Sequence, residues 1–326
     1  MPLIDPRIKL RHLSCFVETD RHGGVVPAAE ALGLSQPAIS KSLAELEDIL
    51  GVALFDRTRR RLALTEFGAQ FLRYANAALA ALRQGVESVS LASHADAVVR
   101  LGALPTVEVE VVPRAVARFA MGPLAARLHV ESGPSPHLLG LLRTGAIDLV
   151  VGRMPAPDVM AGLSFEHLYS EPLVLAVRPG HPLLLAPAPS LRMVESYPAL
   201  VPPRGAIIRQ TVETVLLAAG IARLSREIET VSNSFGRAYA LLTDAVWFIS
   251  RSVVAADLQS GALATLDVDM SASHGAIGIT TRAGAEIDLP TTAFIAAVRE
   301  VASPGQSVSS KSGNGFAVRT RDKTKS

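Results

Sequence analysis

Residues 28–43, AAEALGLSQPAISKSL, constrain this chain more than any other stretch. Ala28, Ala29 and Leu32 make an apolar stripe at helical spacing, Leu34 fills a turn, and Ile39, Leu43 and Leu46 resume the stripe. The chain leaves the first helix at Gly33, a position that favours a residue tolerant of positive φ. Ser35 reads as the N-cap of the second helix, and Pro37 falls in its first turn, where no backbone N–H needs a partner. Outside the stripe stand Gln36, Pro37, Ser40 and Lys41, small or hydrogen-bonding side chains on one exposed face. This is the pattern of a helix-turn-helix whose second helix enters a major groove. The alternative is an ordinary three-helix cluster with a polar face.

The neighbours favour the first reading. Ile8, Leu10, Leu13, Phe16 and Val17 predict a covering helix ahead of the pair. From Leu50 to Thr65 the apolar residues shift towards alternation around Arg57, Arg59, Arg60 and Arg61. That predicts a two-stranded wing with a basic tip, held between Phe55 and Leu62 and placed to contact phosphates.

In combination, Ala28–Leu32, Leu34–Ser40, Leu46-Glu47, Leu50-Gly51, Leu54–Arg57 and Leu64–Gly68 resemble the winged helix-turn-helix of LysR-type transcriptional regulators. The resemblance implies DNA contacts from Ser35, Gln36, Pro37, Ser40 and Lys41 on the recognition helix and from Arg57 and Arg60 on the wing. Lys41 departs from the family, which more often has Arg there; Lys keeps the charge and gives up the bidentate fork. The entry Gly23–Pro27 is also atypical, although Pro27 suits a first helical turn.

From Thr65 to about Ser93 there is no proline, and Thr65 is a natural N-cap. Phe67, Phe71, Ala75, Ala78, Leu82, Val86 and Val89 recur by threes and fours, predicting a long helix with a narrow apolar seam. Such a seam wants a partner, most simply its own copy, and in the resembled family this is the helix that pairs two DNA-binding domains. The pairing matters because two helices read a pseudo-palindromic site.

With 326 residues, 49% of them hydrophobic, the chain is long enough for two or more domains. Its net charge of +2 leaves DNA affinity to local clusters. The single cysteine, Cys15, allows no intramolecular disulfide, and neither a signal-peptide core nor a bilayer-spanning run is expected. These observations predict a soluble, cytoplasmic protein that binds no membrane.

After Val98 short apolar runs alternate with helical patterns: strands at 98–104, 128–131 and 147–152, and then at 173–177, 199–201, 227–229, 245–249 and 276–279. Strand–helix alternation predicts parallel sheets with helices on their faces. Leu142–Leu149 and Glu171–Val174 extend the resemblance to the family's two-lobed, periplasmic-binding-protein-like effector domain. The expected architecture is thus α + α/β: a winged helix-turn-helix over 1–65, a linker helix over 66–93 and an effector domain over 94–302. Lobe I is expected at 94–168 plus 273–302 and lobe II at 169–272. The Ser-, Gly- and Lys-rich stretch 303–326 is expected to be a disordered tail.

An enzyme is not expected. There is no Gly-x-Gly-x-x-Gly after a strand, no Walker loop, no complete nucleophile elbow and no histidine pair at metal-ligand spacing. Neither a cofactor nor a metal is called for. A solute-binding protein would leave the N-terminal third unexplained. For the effector, the strand ends at Leu104–Thr106 and Gly133–Ser135 place hydroxyls beside helix N-termini, a setting that suits a carboxylate. Thr106, Ser135, Arg204 and Ser232 are the expected contacts, Arg204 as the partner of a second carboxylate.

Within the family, Ile8–Leu13, Leu82–Gln84, Val99–Val107 and Leu163–Glu171 are similar to regulators of protocatechuate catabolism and to those controlling galactose-binding proteins. The first group implies carboxymuconate or its lactone as effector, the second a sugar. The implied partners are double-stranded promoter DNA, further copies of the chain in a homodimer or homotetramer, and RNA polymerase.

Overall fold

The computed structural model describes residues 5–56, 62–90, 97–124 and 126–303. Three helices open the chain: α1 (Leu10–Arg21), α2 (Val25–Leu32) and α3 (Gln36–Leu50). Gly33 ends α2 at φ +63°, the left-handed conformation that turns the chain into α3. Ser35 takes the extended N-cap conformation, but its side chain makes no capping hydrogen bond, so it caps by backbone geometry alone. Two short antiparallel strands follow, β1 (Phe55–Asp56) and β2 (Ala63–Leu64), and form the base of the wing. The Glu47 carboxylate on α3 accepts hydrogen bonds from the N–H groups of Leu54 (2.8 Å) and Phe55 (3.2 Å), which fixes where the wing begins. Phe16 is the centre of this domain, fully buried and tilted against Phe55 and Phe71 with ring centroids 5.3 and 5.5 Å away. Arg57 and Arg60 lie outside the described residues, as does the predicted tail beyond Ser303.

The linker helix α4 (Glu66–Ser90) starts where the sequence indicated, with the Thr65 hydroxyl accepting from the N–H of Gly68 at 3.0 Å. At 1.5 Å per residue it is about 37 Å long. The structure divides the apolar seam along its length. Ala75, Phe71, Leu72 and Leu79 pack into the DNA-binding domain's own core. Phe67, Tyr74, Leu82 and Val86 are left open, each close to half exposed or more. Phe71, Ala75, Leu82 and Val86 share one side of the helix: the parent domain covers the N-terminal part of that stripe and leaves its C-terminal part open.

Two α/β lobes follow. Lobe I contains β3 (Val98–Ala103), α5 (Val111–Ala120), β4 (Arg127–Ser132), α6 (Ser135–Arg143), β5 (Leu149–Arg153) and β6 (Leu163–Glu171). Lobe II contains β7 (Leu173–Val177), α7 (Leu191–Val194), β8 (Ala199–Val201), α8 (Ile207–Ala218), β9 (Glu227–Glu229), α9 (Asn233–Leu242), β10 (Val246–Ser250), α10 (Ala255–Ser260) and β11 (Ala264–Thr265). The chain then returns to lobe I through β12 (Gly275–Arg282) and α11 (Leu289–Ala302). The sheet orders are β4-β3-β5-β12-β6 and β11-β7-β10-β8-β9. Neither sheet is purely parallel, contrary to the expectation from alternation. β3 pairs β4 and β5 in parallel, but the returning β12 runs antiparallel to β5 and β6, and β7 runs antiparallel to β10 and β11. The chain crosses between lobes twice, and a strand re-entering a sheet from the far lobe arrives in the opposite direction.

Candidate functional site: a DNA-reading helix and an inter-lobe cleft

On α3 the buried side is Ile39, Ser42, Leu43 and Leu46. Ser35, Gln36, Pro37, Ser40 and Lys41 are all exposed, and together they form one continuous face at the helix N-terminal end. Behind them a polar cluster holds the helix to α1. The Lys9 N–H donates to His12 Nδ1 (3.3 Å), so the proton on this ring resides on Nε2, which donates to the Glu45 carboxylate (3.1 Å). Arg11 reaches the same carboxylate at 3.1 Å and Lys41 at 3.9 Å. Hydrogen bonding from His12, with Arg11 and Lys41 nearby, holds Glu45 below the usual carboxylate range. Lys41 is therefore oriented along the helix by Glu45 while its ammonium stays exposed.

The second feature is the cleft between the lobes. A cavity of about 50 Å³ is lined from lobe I by Leu104, Pro105, Thr106, Pro134, Ser135 and Arg153. From lobe II it is lined by residues that include Ile207, Ser232, Asn233 and Trp247. Ser135 is the first residue of α6, at a helix N-terminus as predicted. Thr106 precedes α5 by a run of turns rather than sitting at its N-terminus. Ser232 N-caps α9, its hydroxyl accepting from the N–H of Phe235 at 3.3 Å. Arg204 does not line this cavity; it is exposed on the turn ahead of α8. Its expected place is corrected because Ala206, not Arg204, is the N-cap of α8, which leaves the arginine on the outside of the turn.

The cation at the cavity is Arg153, at the end of β5 and only 4% exposed. Its Nη2 donates to the carbonyls of Glu171 (2.9 Å) and Ser273 (3.1 Å), at the two strand crossings between lobes. Its Nε, like Thr106 Oγ1, is buried and has no hydrogen-bond partner among the described residues. Burial draws the guanidinium pKa down, and the Glu171 charge opposes that shift. Glu171 is itself buried at 6% exposure; burial pushes its carboxyl up despite the Ser252 N–H donating to it at 3.2 Å. Tyr169 Oη and Glu171 Oε1 extend the set of buried polar atoms without partners. Sequence reasoning missed Arg153 because it ends an apolar run, Leu149-Val150-Val151-Gly152-Arg153, and reads as a strand terminus.

The lobes are closed on each other by a few polar links. Asn233 Nδ2 donates to the Pro105 carbonyl at 2.7 Å, Ser252 Oγ to the Thr106 carbonyl at 3.2 Å, and Arg153 Nη1 to Thr211 Oγ1 at 3.5 Å. Among the described residues no group of three or more His, Cys, Asp or Glu is placed to hold a metal ion. No described helix is long and apolar enough to cross a membrane.

Comparison with known proteins agrees with this two-part organisation. Residues 10–69 match the bacterial regulatory helix-turn-helix protein family of LysR type, and residues 92–303 match the LysR substrate binding domain. The chain is 46% identical over 301 residues to the HTH-type transcriptional regulator PcaQ of Agrobacterium fabrum, covering 92% of this chain and 97% of that protein. It is 38% identical to the regulator YdcI of Escherichia coli, covering 91% and 97% respectively. The regulator GbpR of Azospirillum brasilense is more distant, at 31% identity over 76% of this chain and 73% of its own length. Among solved structures, the full-length regulator LysG of Corynebacterium glutamicum with bound effector Arg shares the fold, with a TM-score of 0.61 at 17% identity, covering 90% of this chain and 98% of that one. The family is one of transcriptional regulators, not enzymes, and this chain belongs to it: it is a LysR-type, DNA-binding transcriptional regulator.

Proposed function

We propose that the chain is an effector-responsive activator of aromatic-acid catabolic genes, those for protocatechuate degradation, and that its effector is carboxymuconate or the derived lactone. The 46% identity to PcaQ over nearly that protein's whole length supports the pathway. The observation that carries the effector class is that Arg153 and Thr106, which both line the cavity, each bury a polar atom, Nε and Oγ1, without a hydrogen-bond partner among the described residues. A buried donor without a partner is costly, and an anionic ligand between the lobes offers such groups acceptors. Ser135 at the α6 N-terminus and Ser232 at the α9 N-terminus supply further donors on opposite walls, so a molecule with two carboxylates spans the cleft. Arg204 has no part in this reading.

A cavity of about 50 Å³ has room for water rather than for a carboxylated six-carbon chain, so the effector enters by parting the lobes. Asn233 and Ser252 are the contacts that break and re-form.

At the other end of the chain, Gln36, Pro37, Ser40 and Lys41 read base edges, with Ser35 and the wing residues Arg57 and Arg60 on phosphates. The open face of α4 (Tyr74, Leu82, Val86) pairs with a second copy, giving the homodimer that two half-sites need; a homotetramer is the next level of assembly. Promoter DNA and RNA polymerase are the macromolecular partners, and they place the protein in the cytoplasm.

Regulation of sugar-uptake genes is the rival, on the 31% identity to GbpR. Isothermal titration of the full chain with carboxymuconate, its lactone, protocatechuate and galactose separates the two. Heat release with carboxymuconate or the lactone and none with galactose is expected; binding of galactose alone overturns the aromatic reading.

A further inference from the structure

Helix α6 has one end in the cleft and the other against the DNA-binding half of the molecule. Its first residue, Ser135, is 5% exposed and lines the cavity. Its C-cap residue, Thr144, accepts a hydrogen bond on Oγ1 from Arg21 Nη2 of α1 at 3.3 Å. The same hydroxyl donates to the Leu141 carbonyl at 2.9 Å, which ties the contact to the last turn of α6. The next residue, Gly145, is at φ +69° and lies under the linker helix. A Cβ placed there would stand 2.7 Å from the Cβ of Ala80 and 3.2 Å from its Cα, closer than atoms pack. Ala80 is 3% exposed, so α4 seats directly on this turn.

The far end of α6 is also rigidly held. Arg282 Nη1 donates to the carbonyls of Leu142 and Ile147, both at 2.9 Å, and Arg143 donates to the Val159 carbonyl. Leu138, Leu139 and Leu142 are buried along its length. A nine-residue helix is about 13 Å long, and a packed helix moves as a unit rather than bending.

We propose that α6 is the strut coupling the cleft to the DNA-binding domain, with Thr144–Arg21 and Gly145–Ala80 as its output contacts. A displacement at Ser135 is delivered about 13 Å away to α1 and α4 together, the two helices that set the attitude of the recognition helix and the dimer seam. The device rests on the reading of the cleft as the effector site, but the contacts themselves can be tested without any effector.

The test uses the full-length protein and two variants outside the DNA-reading face and outside the cleft. T144V removes the hydroxyl at nearly constant shape, and G145A crowds Ala80 in a backbone conformation unfavourable to side chains. Without effector, amide exchange at the C-terminal turn of α1 should become roughly fivefold faster in T144V, the loss expected of one hydrogen bond, and faster still in G145A. With carboxymuconate as probe, titration should give an affinity within about twofold of wild type in T144V, while the probe-induced change in DNA affinity shrinks towards none. Unchanged exchange in both variants overturns the docking contact. A full-sized DNA response in both overturns the strut. If wild type does not bind carboxymuconate, the effector reading fails by itself, and the exchange result still decides whether α6 is docked on α1 and α4.

Discussion

Gln36 and Ser40 stand on the exposed side of α3 with no structural role, so replacing either by Ala should leave the fold untouched. Each substitution should cost about 1–3 kcal/mol on the specific promoter site and little on random DNA, measured by anisotropy titration on both. Equal losses on the two DNAs would remove Gln36 from base reading. Thr106 has the opposite character. Its hydroxyl is buried without a partner, so Thr106→Val should raise the melting temperature of the free protein while weakening carboxymuconate binding by about 1–3 kcal/mol. A variant that loses both stability and affinity would show that Thr106 is merely a packing residue. Glu171 links this site to pH. Burial raises its carboxyl pKa in the folded state, so the native protein holds the proton more tightly than the unfolded chain. Its contribution to stability is therefore fully present at pH below the ordinary carboxylate value and is lost as pH rises from there through the raised one. Melting temperatures across that window should fall less steeply with pH in Glu171→Gln than in wild type; parallel curves would mean that Glu171 does not titrate there. The exposed polar face of α3 was legible in the sequence because it is local, fixed by helical spacing and Gly33 within a few turns. Arg153 was not, since its burial depends on Glu171 and Ser273, remote in sequence and carried on the two crossings.

At the scale of elements, the long helix and its Thr65 cap followed from the absence of proline and from spacing, while the extent to which its own domain covers the apolar stripe did not. The apolar stripe of α4 is covered over only part of its length. Its N-terminal part meets Phe16 and the α1–α3 core through Phe71 and Ala75, and further along Leu82 and Val86 stand in the open, with Tyr74 beside the stripe. Leu82→Glu places like charges opposite each other in a paired seam, where the cost of burying an unmatched charge is large. The full-length variant should sediment as a monomer with unchanged helical circular dichroism, and a variant that stays dimeric at micromolar concentration would place the seam elsewhere. Strand β6 escaped notice for a related reason. Its burial does not alternate along Leu163–Glu171, because it bridges an edge of the sheet and the crossing between lobes. The register shift opposite Ile277 and Gly278 breaks the period further. By contrast β5, β7, β8 and β10 are buried throughout and read as continuous apolar runs.

For the whole molecule, the division of labour explains why one chain carries both a groove-reading domain and a closed cleft. The lobes are joined by two strand crossings and linked by hydrogen bonds from Asn233, Ser252 and Arg153, and a ligand shifts any opening of the cleft by binding one state better. Lobe assignment was available from the order of strands and helices, but the antiparallel return of β12 into lobe I was not, since nothing local to 275–282 says that the chain has come back from the other lobe. In the proposed mechanism an anion held at Arg153 and Thr106 changes how α3 engages promoter DNA. The most direct measurement is footprinting of full-length protein on the intergenic region upstream of its own gene, with and without carboxymuconate, for wild type and Thr106→Val. Protected major-groove segments separated by whole helical turns are expected, with a pattern that shifts on adding carboxymuconate in wild type and stays fixed in the variant. A wild-type pattern indifferent to carboxymuconate, or an equal shift in both proteins, would contradict this mechanism.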